Sequence, residues 1–359
     1  MSALDLVRTE LRQLRGYSSA RMEASGGRVL LNANESPWPG IADPDGTLQR
    51  YPDAQQPADL VAGLADLYGV PAANVLVARG SDECIDLLTR ATCRAGVDAV
   101  LVSPPTFAMY AVCAGIQGAS VLNVPLDPAR DFAPDFRRLR EVALAEPVKL
   151  VYVCTPNNPT GGIAPAEPVL ALARELAGRA LVVVDEAYAE FADAPSLAPR
   201  AAQPGNLVVL RTLSKAHALA GARVGALVAD AGLVALLRRL LAPYPIAVPC
   251  ARAALAALAP DALAATRLRV AAIRAERTRL AGAFARLPGV RAVFPSAANF
   301  LTARLDAASA THAALLAAGI VVRDVGGYPG LEDCLRFSIG TPGENDALLG
   351  VLARRERVA

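Results

Sequence analysis

The sequence predicts an α/β protein: a large domain with a mostly parallel, seven-stranded sheet between helices, plus a smaller α+β domain. Three observations carry that prediction. From about Asn74 short β-rich runs alternate with longer helical patterns, the rhythm of a parallel sheet covered on both faces. The runs VYVC (ending at Cys154) and LVVV (ending at Val184) are apolar throughout rather than alternating, as strands buried on both faces should be. After Pro243 and Pro245 the composition shifts to Ala, Leu, Arg and Glu.

In chain order, residues 1–50 are rich in Pro and Gly with little periodicity. They read as an arm packed on other parts and contributing to the smaller domain. The large domain is expected over residues 51–248, with strands at 74–78, 99–103, 121–124, 149–154, 180–184, 207–211 and 225–229. Helical patterns between them include 83–94, 106–115, 165–177 and 232–241. Residues 251–287 read as one or two long helices. Short strands at 290–294, 299–303, 320–323 and 334–338, a helix near 308–318 and a final helix complete a small domain over residues 249–359.

Composition narrows the function classes. The 359 residues hold 36 Lys plus Arg against 34 Asp plus Glu, a net charge of +2. With 53 % apolar residues the chain is neither disordered nor, lacking a basic stripe, a general nucleic-acid binder. Mean hydropathy is positive, but charges or prolines interrupt each apolar stretch before the ~20 residues that span a bilayer, so a soluble protein is expected. Met1–Glu10 carries Asp5, Arg8 and Glu10 and no targeting pattern. The six cysteines are scattered without a CxxC pair and the histidines number two. Small buried thiols, no metal and a reducing cytoplasm follow.

Five segments hold the candidate chemistry, each at the end of an expected strand. In Thr212-Leu213-Ser214-Lys215, followed by Arg223, a lysine among hydroxyls and apolar residues suits a desolvated amine prepared for Schiff-base chemistry. Thr212, Ser214 and Arg223 could cradle a phosphate; a surface lysine beside a turn is the plain alternative. Asp185 directly follows four apolar residues, where α/β folds place ligands. It could pair with a protonated pyridine nitrogen, with Tyr188 donating to a phenolate oxygen, or simply cap a helix. Cys154–Gly162 (CTPNNPTGG) is a tight turn by local physics that would hold the Asn158 amide toward the crevice. Arg79-Gly80-Ser81-Asp82-Glu83 places amides at a helix N-terminus, an anion site or an ordinary cap. In PPTFAMY, Tyr110 could stack on a planar cofactor or fill the core.

Taken together, an imine-forming lysine, a pyridinium-pairing aspartate, phenolate-facing Asn and Tyr and a phosphate cradle describe one ligand, pyridoxal phosphate. Through LRGYSSAR, LNANESPW, RYPD, ARGSDE, VYVCTPNNPTGG, VVVDEAY, LRTLSKAHALAGARVG and CLRFSIGT, the chain resembles the fold-type I pyridoxal-phosphate-dependent aminotransferases over nearly its whole length. The resemblance implies that Lys215 carries the cofactor and moves the substrate α-proton, and that Asp185 keeps the ring nitrogen protonated. Asn158 and Tyr188 would hold the ring oxygen, Tyr110 would stack on the ring, and Gly80, Ser81, Asp82, Thr212, Ser214 and Arg223 would form the phosphate site. Tyr51 would reach the partner subunit's cofactor phosphate, which implies a homodimer with shared active sites. Arg336, assisted by Tyr17, Asn32 and Arg323, would bind the carboxylate of glutamate and, in the other half-reaction, a phosphate.

Within the family the resemblance is strongest to members that transaminate histidinol phosphate against 2-oxoglutarate in histidine biosynthesis. Aromatic amino acid transamination and threonine-phosphate decarboxylation are the alternatives on the same scaffold. A transcription regulator would need a DNA-binding domain, and a cofactor-less scaffold would not need Lys215, Asp185 and Arg223 together. His217 and Phe107 depart from the commoner Phe and Tyr of the family, and His217 is expected to pack beside the lysine loop.

Overall fold

The computed structural model describes residues 3–17, 29, 31–52 and 56–354. Residues 18–21 of the LRGYSSAR motif and Asp53 of RYPD lie outside the described residues.

The large sheet has seven strands: β1 (Val75–Ala78), β2 (Ala99–Val102), β3 (Ser120–Asn123), β4 (Val148–Cys154), β5 (Leu181–Asp185), β6 (Leu207–Thr212) and β7 (Gly225–Val228). Their order is β1-β7-β6-β5-β4-β2-β3. β7 runs antiparallel to both its neighbours, and the remaining pairings are parallel. All seven expected strands are present within about a residue of the expected bounds. The apolar runs explain why: β5 is buried over its full length and β4 at every position except Lys149. Helices cover both faces. On one side lie α1 (Ala58–Tyr68) and others whose apolar faces join Val77, Val151 and Val182 in one core; on the other, α2 (Ser81–Thr92) and α3 (Met109–Gln117) pack on Val100, Leu150 and Val183.

After β7 come α4 (Ala231–Leu240), α5 (Val248–Ala257) and the 25-residue α6 (Pro260–Phe284). The last two meet at a bend of 73°, where Ala259-Pro260 starts the second helix with Pro at its first turn. Ala251 and Ala254 of α5 are buried in the large-sheet core with Leu60 and Val228. Residues 249–257, expected from sequence in the smaller domain, therefore pack with the larger one. The second sheet is antiparallel, ordered β10-β11-β9-β8, from β8 (Val290–Val293), β9 (Phe300–Leu305), β10 (Arg323–Asp324) and β11 (Cys334–Ser338). Its core joins Phe284, Leu301, Leu335 and Phe337 to α7 (Ala308–Ala317) and α8 (Pro342–Arg354). The strand expected at 320–323 is displaced to the two residues Arg323–Asp324.

At the start of the chain Ala3, Leu6 and Val7 are buried in the large-domain core. By contrast Leu31, Trp38 and Ile41 are exposed. Five of the six cysteines are buried free thiols and Cys250 is half-buried. Among the described residues no single helix is long and apolar enough to cross a membrane.

Candidate active site

A cavity of about 460 Å³ opens at the C-terminal ends of β4, β5 and β6 and is lined on its other side by Arg323 of β10 and Arg336 of β11. Strand ends of a parallel sheet are where open α/β folds bind ligands. The cavity brings together Ser81, Asp82, Asn158, Asp185, Tyr188, Thr212, Ser214, Lys215, Arg223, Arg323 and Arg336, eleven of the residues singled out from sequence.

One end is a cluster of hydrogen-bond donors. Gly80 has φ +80°, and a Cβ there would lie 2.5 Å from Arg223 Nη2. A Cβ on Gly225 would lie 2.5 Å from the Ser81 nitrogen. Two glycines thus let the β1–α2 turn, the start of β7 and the Arg223 guanidinium converge. Arg223 Nη1 donates to Ser214 Oγ at 3.4 Å and Nη2 to Asp82 Oδ2 at 3.1 Å, while Thr212 Oγ1 donates to Ser214 Oγ at 2.9 Å. Amides at the first turn of α2, two hydroxyls and a guanidinium form an anion site.

Asp185 forms the floor. Tyr110 Oη donates to its Oδ2 at 2.7 Å and the Ala187 amide to its Oδ1 at 3.1 Å. Both donors are neutral, and burial outweighs them, pushing the carboxyl up to about 6. Tyr110 is wholly buried, stacked on Tyr152 at 4.3 Å between ring centroids, and does not line the cavity. The ring-stacking role expected of Tyr110 therefore has no geometric basis; the aromatic that lines the cavity beside Met109 is Phe107. The reason is local: α3 begins at Met109, so Phe107 precedes the helix while Tyr110 turns inward, beneath Asp185.

Lys215 projects between these elements, its Nζ 5.7 Å from the Tyr188 ring centroid. Burial lowers the pKa of its amine, with repulsion from Arg336 and Arg223 adding to the effect against the pull of Asp82 and Asp185. Tyr188 meets Phe300 edge to face at 5.3 Å, and burial raises its hydroxyl pKa. In the Cys154–Gly162 turn the two asparagines divide the work. Asn157 locks the turn, donating to Pro105 O at 2.9 Å and to Thr160 Oγ1 at 2.8 Å. Asn158 faces the cavity and its Oδ1 accepts from Arg336 Nη1.

The opposite wall is cationic. Arg336 of β11 pairs in register with Arg323 of β10, which sets both side chains on one face of the ribbon, and the Arg336 guanidinium lies 5.3 Å over the Phe300 ring. Tyr328, Val325 and Met109 also line the cavity without having been singled out from sequence; Tyr328 sits in a Gly- and Pro-rich turn that reads from sequence only as a loop. Tyr17, Asn32 and Tyr51 do not line the cavity. Tyr17 and Tyr51 are exposed, and Tyr51 stacks on Tyr244 at 4.4 Å. His217 is buried beside the lysine loop, outside the cavity, with its Nε2 3.9 Å from Glu190.

The family described as aminotransferase class I and II matches residues 28–352, and the chain belongs to it. The chain is 52 % identical over 359 residues to the histidinol-phosphate aminotransferase of Xanthomonas campestris pv. campestris, covering 100 % of this chain and 99 % of that one. It is 53 % identical over 352 residues to the histidinol-phosphate aminotransferase of Xylella fastidiosa, covering 98 % and 96 %. Its fold is similar to the crystal structure of histidinol-phosphate aminotransferase from Sinorhizobium meliloti in complex with pyridoxal-5′-phosphate, with a TM-score of 0.76 at 29 % identity over 87 % of this chain and 84 % of that one.

Proposed function

We propose that this chain is a pyridoxal-phosphate-dependent transaminase that moves an amino group between L-histidinol phosphate and 2-oxoglutarate, yielding imidazole acetol phosphate and L-glutamate. The observation that carries the reading is the polarity of one cavity: Lys215 and Asp185 face two in-register arginines, Arg323 and Arg336. Two guanidinium groups suit a phosphate dianion, and the planar fork of Arg336 accepts a carboxylate with equal geometry. The names of the relatives at 52 % and 53 % identity support the same substrate.

The residues fit the cofactor on their own chemistry. A buried carboxylate met only by neutral hydrogen-bond donors suits a protonated ring nitrogen. The Gly80 cradle beneath Arg223 suits a phosphate, and an amine of lowered pKa suits covalent attachment. When bound, pyridoxal phosphate supplies a carbonyl for the amino group and a ring that withdraws electrons. Ser81, Asp82, Thr212, Ser214 and Arg223 hold its phosphate, Asn158 and Tyr188 its ring oxygen, and Phe107 lies against its ring. Asp185 holds the proton on the ring nitrogen. Lys215 Nζ would take the proton from the substrate α-carbon and deliver it to the carbon of the cofactor carbonyl. Arg336, steadied by Asn158 Oδ1 and Phe300, orients the substrate anion, with Arg323 adding the second charge.

We further infer a homodimer in the cytoplasm, in which the exposed Tyr51 reaches the cofactor phosphate of the second copy and Tyr17 and Asn32 assist at the substrate anion. The chain divides into an arm over residues 1–50, a large domain continuing through α5, and a small domain beginning with α6. A steady-state assay with histidinol phosphate and 2-oxoglutarate tests the reading: glutamate formation that requires both substrates is expected, and its absence in cofactor-loaded protein refutes it.

A further inference from the structure

Around the ends of β5 and β6, polar residues meet outside the cavity as well as within it. Asp185 and Thr212 line the cavity, whereas Glu186 and Arg211, their neighbours in sequence, meet in an ion pair outside it. Successive residues of a strand point to opposite faces of the sheet. Arg211 Nη1 donates to Glu186 Oε2 at 3.0 Å and to Ser196 Oγ at 3.0 Å, and Nη2 donates to Glu190 Oε1 at 2.6 Å. The guanidinium carbon stands 4.9 Å over the Tyr68 ring. Arg211 is 7 % and Glu186 4 % exposed, so the pairing is made almost without water.

Every acid and base of this cluster sits one or two positions from a cavity residue. Arg211 precedes Thr212, Glu186 follows Asp185, Glu190 lies two residues after Tyr188, and His217, packed against Glu190, lies two after Lys215. Lys215 Nζ has no hydrogen bond among the described residues; its place is set by the backbone that carries it. A buried ion pair adds little stability over an apolar replacement of the same volume. What a rigid guanidinium fork adds is a fixed angle between two carboxylates, which a lysine would not supply.

We propose that Arg211 is a positioning residue: by clamping Glu186 and Glu190 outside the cavity it fixes the strand ends and the loop that carry Asp185, Tyr188 and Lys215. The proposal rests on reading Lys215 as the attachment point, but not on the identity of the substrate.

The composition of the chain makes the test clean, because Lys149 and Lys215 are its only lysines. Cofactor-free wild type, Arg211→Met, Glu190→Ala and Glu190→Gln are labelled with an amine-selective reagent across pH, with Lys149 as the internal reference. In wild type Lys215 titrates below the ordinary lysine range. Arg211→Met and Glu190→Ala shift the Lys215 midpoint up by about one pH unit, as desolvation is relieved. In the cofactor-loaded enzymes kcat falls about tenfold or more while KM stays within about threefold. Glu190→Gln, which keeps an oxygen for Arg211, restores most of both. A folded Arg211→Met protein with an unchanged Lys215 midpoint overturns the proposal, even if its Tm is lower. Should Arg211→Met fail to fold, equal Lys215 midpoints in wild type and both Glu190 variants overturn it.

Discussion

Replacing Asp185 with Asn separates the cost of the site from its use. In the protein without cofactor, Asp185 is buried at the cavity floor and its carboxyl is raised from 3.8 to about 6 by burial. One pKa unit corresponds to about 1.4 kcal/mol, so the ionised carboxylate destabilises the fold by about 3 kcal/mol. The pH dependence follows from the direction. Below pH 3.8 the carboxyl is protonated both folded and unfolded, and the cost is absent. Between pH 3.8 and about 6 the unfolded chain releases its proton while the folded one retains it, so stability falls as pH rises. Above about 6 the full cost remains. The substituted amide would keep both present contacts, its oxygen accepting from the Ala187 amide and its NH₂ donating to the Tyr110 oxygen. Urea denaturation of cofactor-free protein at pH 4 and pH 8 should therefore find Asp185→Asn up to about 3 kcal/mol more stable at pH 8 and near wild type at pH 4. The same variant should bind pyridoxal phosphate more weakly, having lost the charge proposed to face the ring nitrogen. An Asp185→Asn protein less stable than wild type at pH 8 would refute the reasoning, because it would mean that the carboxylate is already paired.

Other perturbations read other parts of the site. Gly80→Ala places a methyl 2.5 Å from Arg223 Nη2 in a φ +80° backbone; cofactor affinity should fall about tenfold or more by absorbance titration. Arg336→Ala leaves the anion of either amino donor unpaired and should weaken both glutamate and histidinol phosphate by about 2–5 kcal/mol in kcat/KM, whereas Arg323→Ala should affect the phosphate substrate more. His217→Phe removes two buried ring nitrogens without hydrogen-bond partners among the described residues and should raise stability by about 1–3 kcal/mol. Burial lowers the pKa of His217, so the folded state resists its protonation and the gain should grow as pH falls below about 6.5; thermal melts at pH 5 and 8 measure this.

Much of the fold is legible in the sequence because the strands are buried on both faces. Runs such as Leu181–Asp185 need no partner information to be read. Helix α1, with Leu60, Val61, Leu64, Ala65 and Tyr68 buried along one face, and the helix Phe136–Ala145 are not among the helical patterns read from the sequence. The two-residue β10 exists only through pairing with β11, which no local pattern reports. The same limit governs the site. Lys215, Asp185 and Arg223 stand at strand ends and are found from their position along the chain. Phe107 and Tyr110 are three residues apart, and which of them faces the cavity depends on where α3 begins. Tyr51 is assigned a role that depends on a second copy of the chain; in a single chain Tyr51, Tyr17 and Asn32 all lie outside the cavity lining. Arg211 reads from sequence as part of a strand, since its partners Glu186 and Glu190 come from a different segment.

Histidinol phosphate is the amino donor expected of this cavity. A spectrophotometric titration of the cofactor-loaded enzyme in single half-reactions, with histidinol phosphate, phenylalanine and phosphothreonine in parallel, tests this claim directly. Histidinol phosphate is expected to convert the cofactor to its amine form at far lower concentration than phenylalanine does, and phosphothreonine to release no carbon dioxide. Conversion by phenylalanine at the lower concentration, or decarboxylation of phosphothreonine, would contradict the claim.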